Sequence, residues 1–183
     1  CKDHPLANPV LIAILIVLAV ITISGAAYER YFEGARFVHF MLGPATVALA
    51  IPLLNNGRTV IKNLWPILAA LFVGSVTAIL TAIGLATALG LPREAILALA
   101  PKSTTAAVAM GISETVGGPP ELTAVMVILT GIIGAILVTP LMNTLRISDY
   151  AARGFAVGLT AHGIGTARAF TVNPLAGTFA GIA

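Results

Sequence analysis

From Asn63 to Pro92 the chain carries no charged side chain, and the same is true from Leu122 to Leu145 and from Val10 to Tyr28. A helix needs roughly 20 apolar residues to cross the hydrocarbon core of a bilayer, and each of these runs is long enough or nearly so. Charged residues make up only 9% of the chain and hydrophobic ones 58%. A soluble domain carries roughly 25% charged residues, so the composition is that of a membrane protein. The net charge of +3 comes from scattered basic residues, which excludes a nucleic-acid surface. The single cysteine, Cys1, allows no disulfide within the chain and no cysteine-based metal cluster.

The charges mark the ends of segments. Glu29, Arg30, Glu33 and Arg36 predict an aqueous loop after the first run. Phe37–Gly57 is free of charge but holds Gly43-Pro44 and Pro52, which predicts a kinked or broken helix. Arg58 and Lys62 come next, and Trp65 stands where an interfacial anchor would. Ala95–Ser113 is apolar except for PKSTT in its middle, and Glu114 to Glu121 reads as a turn. Arg146, Asp149 and Arg153 read as a loop, and the chain from Gly154 onward is glycine-rich and interrupted by Arg168.

This predicts an all-α polytopic membrane protein with about six hydrophobic segments. Three are plain (10–28, 63–92, 122–145) and three are interrupted (37–57, 95–113, 154–183). Helices are expected because backbone groups in lipid must be satisfied internally, and the runs lack the period-two alternation of a membrane barrel. Arg58 and Lys62 place the 55–63 loop in the cytoplasm, and Arg146 and Arg153 favour the same side, which calls for at least one re-entrant segment. The first run reads as a span and not as a cleaved signal. Residues 1–183 read as a single transmembrane domain lacking terminal helices. TVALAI at 46–51 echoes TAAVAM at 105–110, and internal repeats with broken helices are a mark of secondary transporters.

Two charges stand away from segment ends, Lys102 and Arg168. A charge in the hydrocarbon core costs roughly 3 kcal/mol on insertion scales, so each needs a partner, a cavity or a snorkelling path to the interface. Lys102 lies in APKSTTAAVAMG. Pro101 fits a first helical turn, and Ser103, Thr104 and Thr105 can cap it, so the stretch reads as a half-helix with its positive end inside the membrane. Arg168 ends HGIGTAR, where Gly163 and Gly165 permit a break and Thr166 can cap the next helix. The Arg168 guanidinium suits a carboxylate or phosphate. His162 is either a proton carrier or a structural histidine bonded to a backbone carbonyl. Glu114 is either a coupling carboxylate or a solvated end. Gly154-x-x-x-Gly158 and Gly177-x-x-x-Gly181 read as helix-packing sites. GIGTAR lacks the third glycine and the preceding strand of a dinucleotide fingerprint. No catalytic set, metal-ligand spacing or phosphate loop stands out, so no enzyme activity, cofactor or metal is expected.

FMLGPATVALAIPL (40–53), PKSTTAAVAMGISE (101–114), LTAVMVILTGIIGAIL (122–137) and ARGFAVGLTAHGIGTARAF (152–170) resemble the LrgB/CidB family, which also forms the C-terminal half of the chloroplast glycolate/glycerate translocator. The resemblance runs from about residue 8 onward. PKSTTAAVAM departs from the family's PKSVTTPIAM-like stretch by losing a second proline. The resemblance implies one of two roles. One is a holin/antiholin-like protein that controls murein hydrolases and lysis with a small LrgA/CidA-like membrane partner. The other is a carrier of small monocarboxylates of the glycolate, glycerate or pyruvate type. The two cationic, helix-breaking motifs favour a proton-coupled carrier in the bacterial inner membrane, assembled as a homo-oligomer. Its expected substrate site is Thr46, Lys102, Ser103, Thr104, Thr105, His162, Gly163, Gly165, Thr166 and Arg168, with His162 or Glu114 carrying the proton.

Overall fold

A computed structural model describes residues 9–48 and 50–183; some side chains of the first two helices, that of Thr46 among them, also lie outside the described residues. The described residues form ten helices and no strand. They are α1 (Pro9–Ser24), α2 (Tyr28–Ala48), α3 (Ala50–Asn55), α4 (Gly57–Lys62), α5 (Leu64–Ala88), α6 (Arg93–Leu99), α7 (Ala106–Thr115), α8 (Pro120–Thr144), α9 (Tyr150–Val172) and α10 (Pro174–Ile182).

Two helices are long and apolar enough to cross a membrane, α5 and α8, each of 25 residues. At 1.5 Å per residue each measures about 37 Å, against a bilayer core of about 30 Å. Pro120 sits at the start of α8, where its missing N–H leaves no bond unmade. Both helices end the same way. Gly90 (φ 69°) and Arg146 (φ 55°) take left-handed conformations just past the last turn. The next amides turn back: Leu91 N–H to Ala86 O and Ile147 N–H to Met142 O, both at 3.0 Å. Such a cap satisfies carbonyls that the helix end would leave unpaired. α5 buries only Ile67 and Ala86, while Trp65, Phe72, Val73 and Leu80 are among its exposed side chains.

Two of the three interrupted segments, those from 95 and from 154, belong to helical hairpins. α6 and α7 are joined by residues 100–105. A Cβ placed on Gly118 would lie 2.9 Å from Leu97 Cβ and 2.6 Å from Ser113 Oγ, so α6 lies beside the end of α7 instead of leading straight into it. In α9 the break is sharper. Ala161 (φ −121°, ψ 17°) and His162 (φ 43°, ψ −142°) leave the helical region, and the chain reverses there. A Cβ on Gly165 would meet the Val157 carbonyl oxygen at 2.7 Å. In a straight helix those residues would stand about 12 Å apart along the axis. Residues 150–160 and 163–172 therefore lie side by side, and α10 packs against both.

Small residues make this close approach possible. Gly154 and Gly158 face the backbones of Ala176 and Ala180 on α10, with no room for a side chain. Gly177 faces the ring of Phe170, and only Gly181 of the two glycine pairs has slack, with Thr166 Cγ2 at 3.9 Å. Val157, Ala161, Ala169, Ala176 and Ala180 make the buried core of this region, and Phe155 and Phe179 extend it toward Ile67 on α5. Asn173 caps α10, accepting the Leu175 amide at 2.8 Å, and Asn56 reaches Thr178 Oγ1 at 3.2 Å.

Several expectations need correction. Glu29, Arg30, Glu33 and Arg36 lie on α2 and not in a loop. Glutamate and arginine are good helix formers, so their charge marks no break. Pro44 is accommodated within α2. Asp149 caps α9 by accepting the Ala152 amide at 2.8 Å, and Arg153 belongs to the helix itself. The half-helix expected at Pro101 begins at Ala106. The 46–51 echo lies partly outside the described residues.

Candidate functional site

The tips of the two hairpins meet. Residues Ser103, Thr104 and Thr105 from the first and His162, Gly163 and Thr166 from the second line one cavity of about 550 Å³. Ser75 and Ile79 of α5 and the last residues of α10 complete its wall. The two motifs that stood out in an apolar chain are thus neighbours, although some sixty positions separate them.

The first tip is an open turn. Pro101 is buried and anchors it. Thr104 Oγ1 donates to Pro101 O at 3.2 Å, and Lys102 Nζ donates to Ser103 Oγ at 3.1 Å. Thr105 precedes α7 in an extended conformation, and its side chain makes no capping bond. The hydroxyls expected to cap α7 are therefore turned elsewhere, Thr104 and Thr105 being exposed at the cavity.

The second tip is clamped. His162 holds a backbone conformation that glycine favours, at a cost of about 1–3 kcal/mol for other residues. Its ring offsets part of this by donating Nε2–H to Val127 O at 2.9 Å. The alternative of a structural histidine bonded to a carbonyl is what the geometry shows. The ring lies over Gly131, where a Cβ would stand 2.7 Å from His162 Cε1, and Gly134 makes room for Ala161 in the same way. Thr166 Oγ1 shares its single O–H between His162 O at 3.0 Å and Ala180 O at 3.1 Å, fastening the second arm to the break and to α10.

Other expected site residues lie apart. Lys102 does not line the cavity and reaches it only through Ser103. Arg168 is on the far side of the hairpin, where Nη1 donates to Thr171 Oγ1 at 3.3 Å and Arg153 is its neighbour across a small crevice. The reversal at His162 carries it there: six residues on, the second arm has turned that face away from the cavity. Arg153 is held by Asn143 Oδ1 at 2.8 Å and stacks over Tyr150 at 5.9 Å. Gly165 is a packing residue buried against Val157. Glu114 is exposed near the end of α7, away from both cations, whose partners are hydroxyls. Thr46 lies on α2, and its side chain is outside the described residues.

Sequence reasoning missed three features. Ser75 lines the cavity, but a lone serine in an apolar helix gives no signal. Ser113 and Thr123 are fully buried, and Thr123 Oγ1 donates to Ser113 Oγ at 2.7 Å, pinning the first hairpin to α8. A second cavity of about 620 Å³ lies between α5 and the α9–α10 pair, with Ile67, Phe155 and Phe179 among its walls. It is mainly apolar and holds none of the motif residues.

The LrgB-like family model matches residues 1–183. A Bacillus subtilis (strain 168) protein, uncharacterized protein YxaC, is 34% identical over 172 residues, 94% of this chain and 75% of its own length. Holin-like protein CidB of Staphylococcus epidermidis is 32% identical over 98% of this chain and 79% of its own. Antiholin-like protein LrgB of Bacillus cereus is 31% identical over 100% and 79%. No solved structure matches. With the whole sequence matched by the family model and the PKSTT and HGIGTAR motifs folded into facing hairpin tips, this chain belongs to the LrgB-like family.

Proposed function

We propose that this chain is a multi-pass protein of the bacterial cell membrane with a holin/antiholin-like role. In that role it controls murein hydrolase activity and lysis together with a small LrgA/CidA-like membrane partner, without catalytic chemistry of its own. The membrane placement rests on α5, whose apolar side chains face outward along most of its length. Soluble monomers rarely expose contiguous apolar surface beyond a few hundred Å². The role rests on the names of the relatives, CidB as holin-like and LrgB as antiholin-like. The test is expression of the full-length protein, with and without its small partner, in a bacterium lacking its own copies. Lysis in stationary phase and murein hydrolase zymograms should change with the pair present. Identical lysis curves and zymograms would overturn the role.

A second reading is a carrier of small monocarboxylates, and the cavity between the hairpin tips favours it. Hydroxyls of Ser103, Thr104 and Thr105 and the start of α7 offer donors to a small hydroxy- or keto-acid. Arg168 takes no part in this version, because it faces away. The check is counterflow of labelled glycolate, pyruvate and glycerate into proteoliposomes across a pH gradient. Saturable exchange reduced at least tenfold in Thr105→Val and kept in Arg168→Gln fits the cavity. Exchange lost only in Arg168→Gln would move the site elsewhere, and leakage of unrelated solutes in place of saturable exchange would leave only the holin-like reading.

A further inference from the structure

Residues 64–115 and 120–172 share a layout that residue identity hides. Each begins with a 25-residue helix, α5 or α8. Each helix closes with the same left-handed cap, at Gly90 and Arg146, and the paired hydrogen bonds fall at matching positions: Ala86 with Met142, Thr87 with Asn143. Each then runs into a hairpin whose second arm has ten residues, Ala106–Thr115 and 163–172. The two breaks stand at corresponding points, Thr105 just before one arm and His162 just before the other.

Length decides how such a unit sits in a membrane. α5 and α8 can each cross once. The hairpin arms, with 7 and 10 residues in the first, reach only about 10–15 Å, half the bilayer core, so each hairpin enters and leaves on one face. One crossing per unit means that the second unit starts on the opposite face from the first. We propose that the two units form an inverted repeat, with the hairpins entering from opposite faces and their tips, Ser103–Thr105 and His162–Gly163, closing the shared cavity from the two sides. Inversion sets the shared cavity between one tip from each face. The inference rests on the membrane reading above, and it gives the carrier reading its path.

Single cysteines in a Cys1→Ser background of the full-length protein test it, probed with a membrane-impermeant thiol reagent on intact cells and on inverted vesicles. Glu94→Cys and Glu121→Cys flank the first hairpin, and Ser148→Cys and Val172→Cys flank the second; all four positions are exposed. The first pair should label from one face and the second pair only from the other. Labelling of Glu94→Cys and Glu121→Cys from opposite faces would make the first hairpin a crossing and overturn the proposal, as would all four on one face. Should a variant fail to accumulate, Arg93→Cys and Arg146→Cys serve as alternates on the same two faces. Retention in carbonate-washed membranes checks the membrane reading separately. The labelling pattern is independent of solute exchange, so a protein with the expected pattern and no exchange would remove the carrier reading and leave the repeat standing.

Discussion

The hairpins at 93–115 and 150–172 face the same cavity but are built differently. The first turns through residues 100–105 with proline and hydroxyls, is fastened to α8 by the Ser113–Thr123 pair, and ends in a left-handed cap at Gly117. The second turns in two residues, one of them a histidine in a glycine-like conformation, and is wedged between α8 and α10 by glycines with no spare space. One cavity thus has an exposed tip, held only within its own turn, and a clamped tip, tied to α8 and α10.

Six substitutions test the difference. The largest effect is expected at Gly158→Leu, which drives a side chain into the Ala180 backbone. It should cost about 3 kcal/mol or more and prevent α10 from docking, read as loss of a cooperative unfolding transition in detergent. Next is Gly131→Ala, which unseats the His162 ring and should cost about 1–3 kcal/mol. Its control is Gly163→Ala, where nothing lies within 4 Å of the new methyl and the midpoint should hold or rise slightly. If the two alanines behave alike, the clamp is not where we place it. His162→Ala keeps the strained backbone and loses the bond to Val127, which should cost about 1–2 kcal/mol. His162→Gly relieves the strain as it loses that bond, so it should be the milder change by denaturation midpoint. In the first hairpin, Ser113→Ala leaves Thr123 with only the Pro119 carbonyl and should cost about 1 kcal/mol.

Range determines how much of this was legible in the sequence. α5 and α8 could be read because charge is excluded along their whole length, a local property of 63–92 and 122–145. PKSTT and HGIGTAR announced breaks because proline, glycine and hydroxyls sit where a continuous apolar helix would not put them. The reversal at His162 was not legible. Gly163 and Gly165 fit a kink as well as a turn, and what decides is Gly131 and Gly134 on α8 and Ala176 on α10, outside the local window. Arg168 misleads for the same reason, since a straight continuation would have kept it near His162. Glu29 to Arg36 mislead differently: charge suggests a loop, whereas all four charged residues lie on α2, where Arg30, Glu33 and Arg36 are exposed. The Gly154 and Gly158 packing site was legible because its spacing of four is a property of one helix face.

The reversal of α9 underlies the cavity, the position of Arg168 and the repeat, and the ends of the helix report on it directly. Tyr150 and Val172 are both exposed and both line the small crevice beside Arg153. Nitroxide labels on Tyr150→Cys and Val172→Cys, in a Cys1→Ser background, should show strong dipolar broadening in electron paramagnetic resonance, as expected for side chains that share one crevice. A continuous helix across those 23 residues would hold them about 33 Å apart, and a distance of that order would contradict the account.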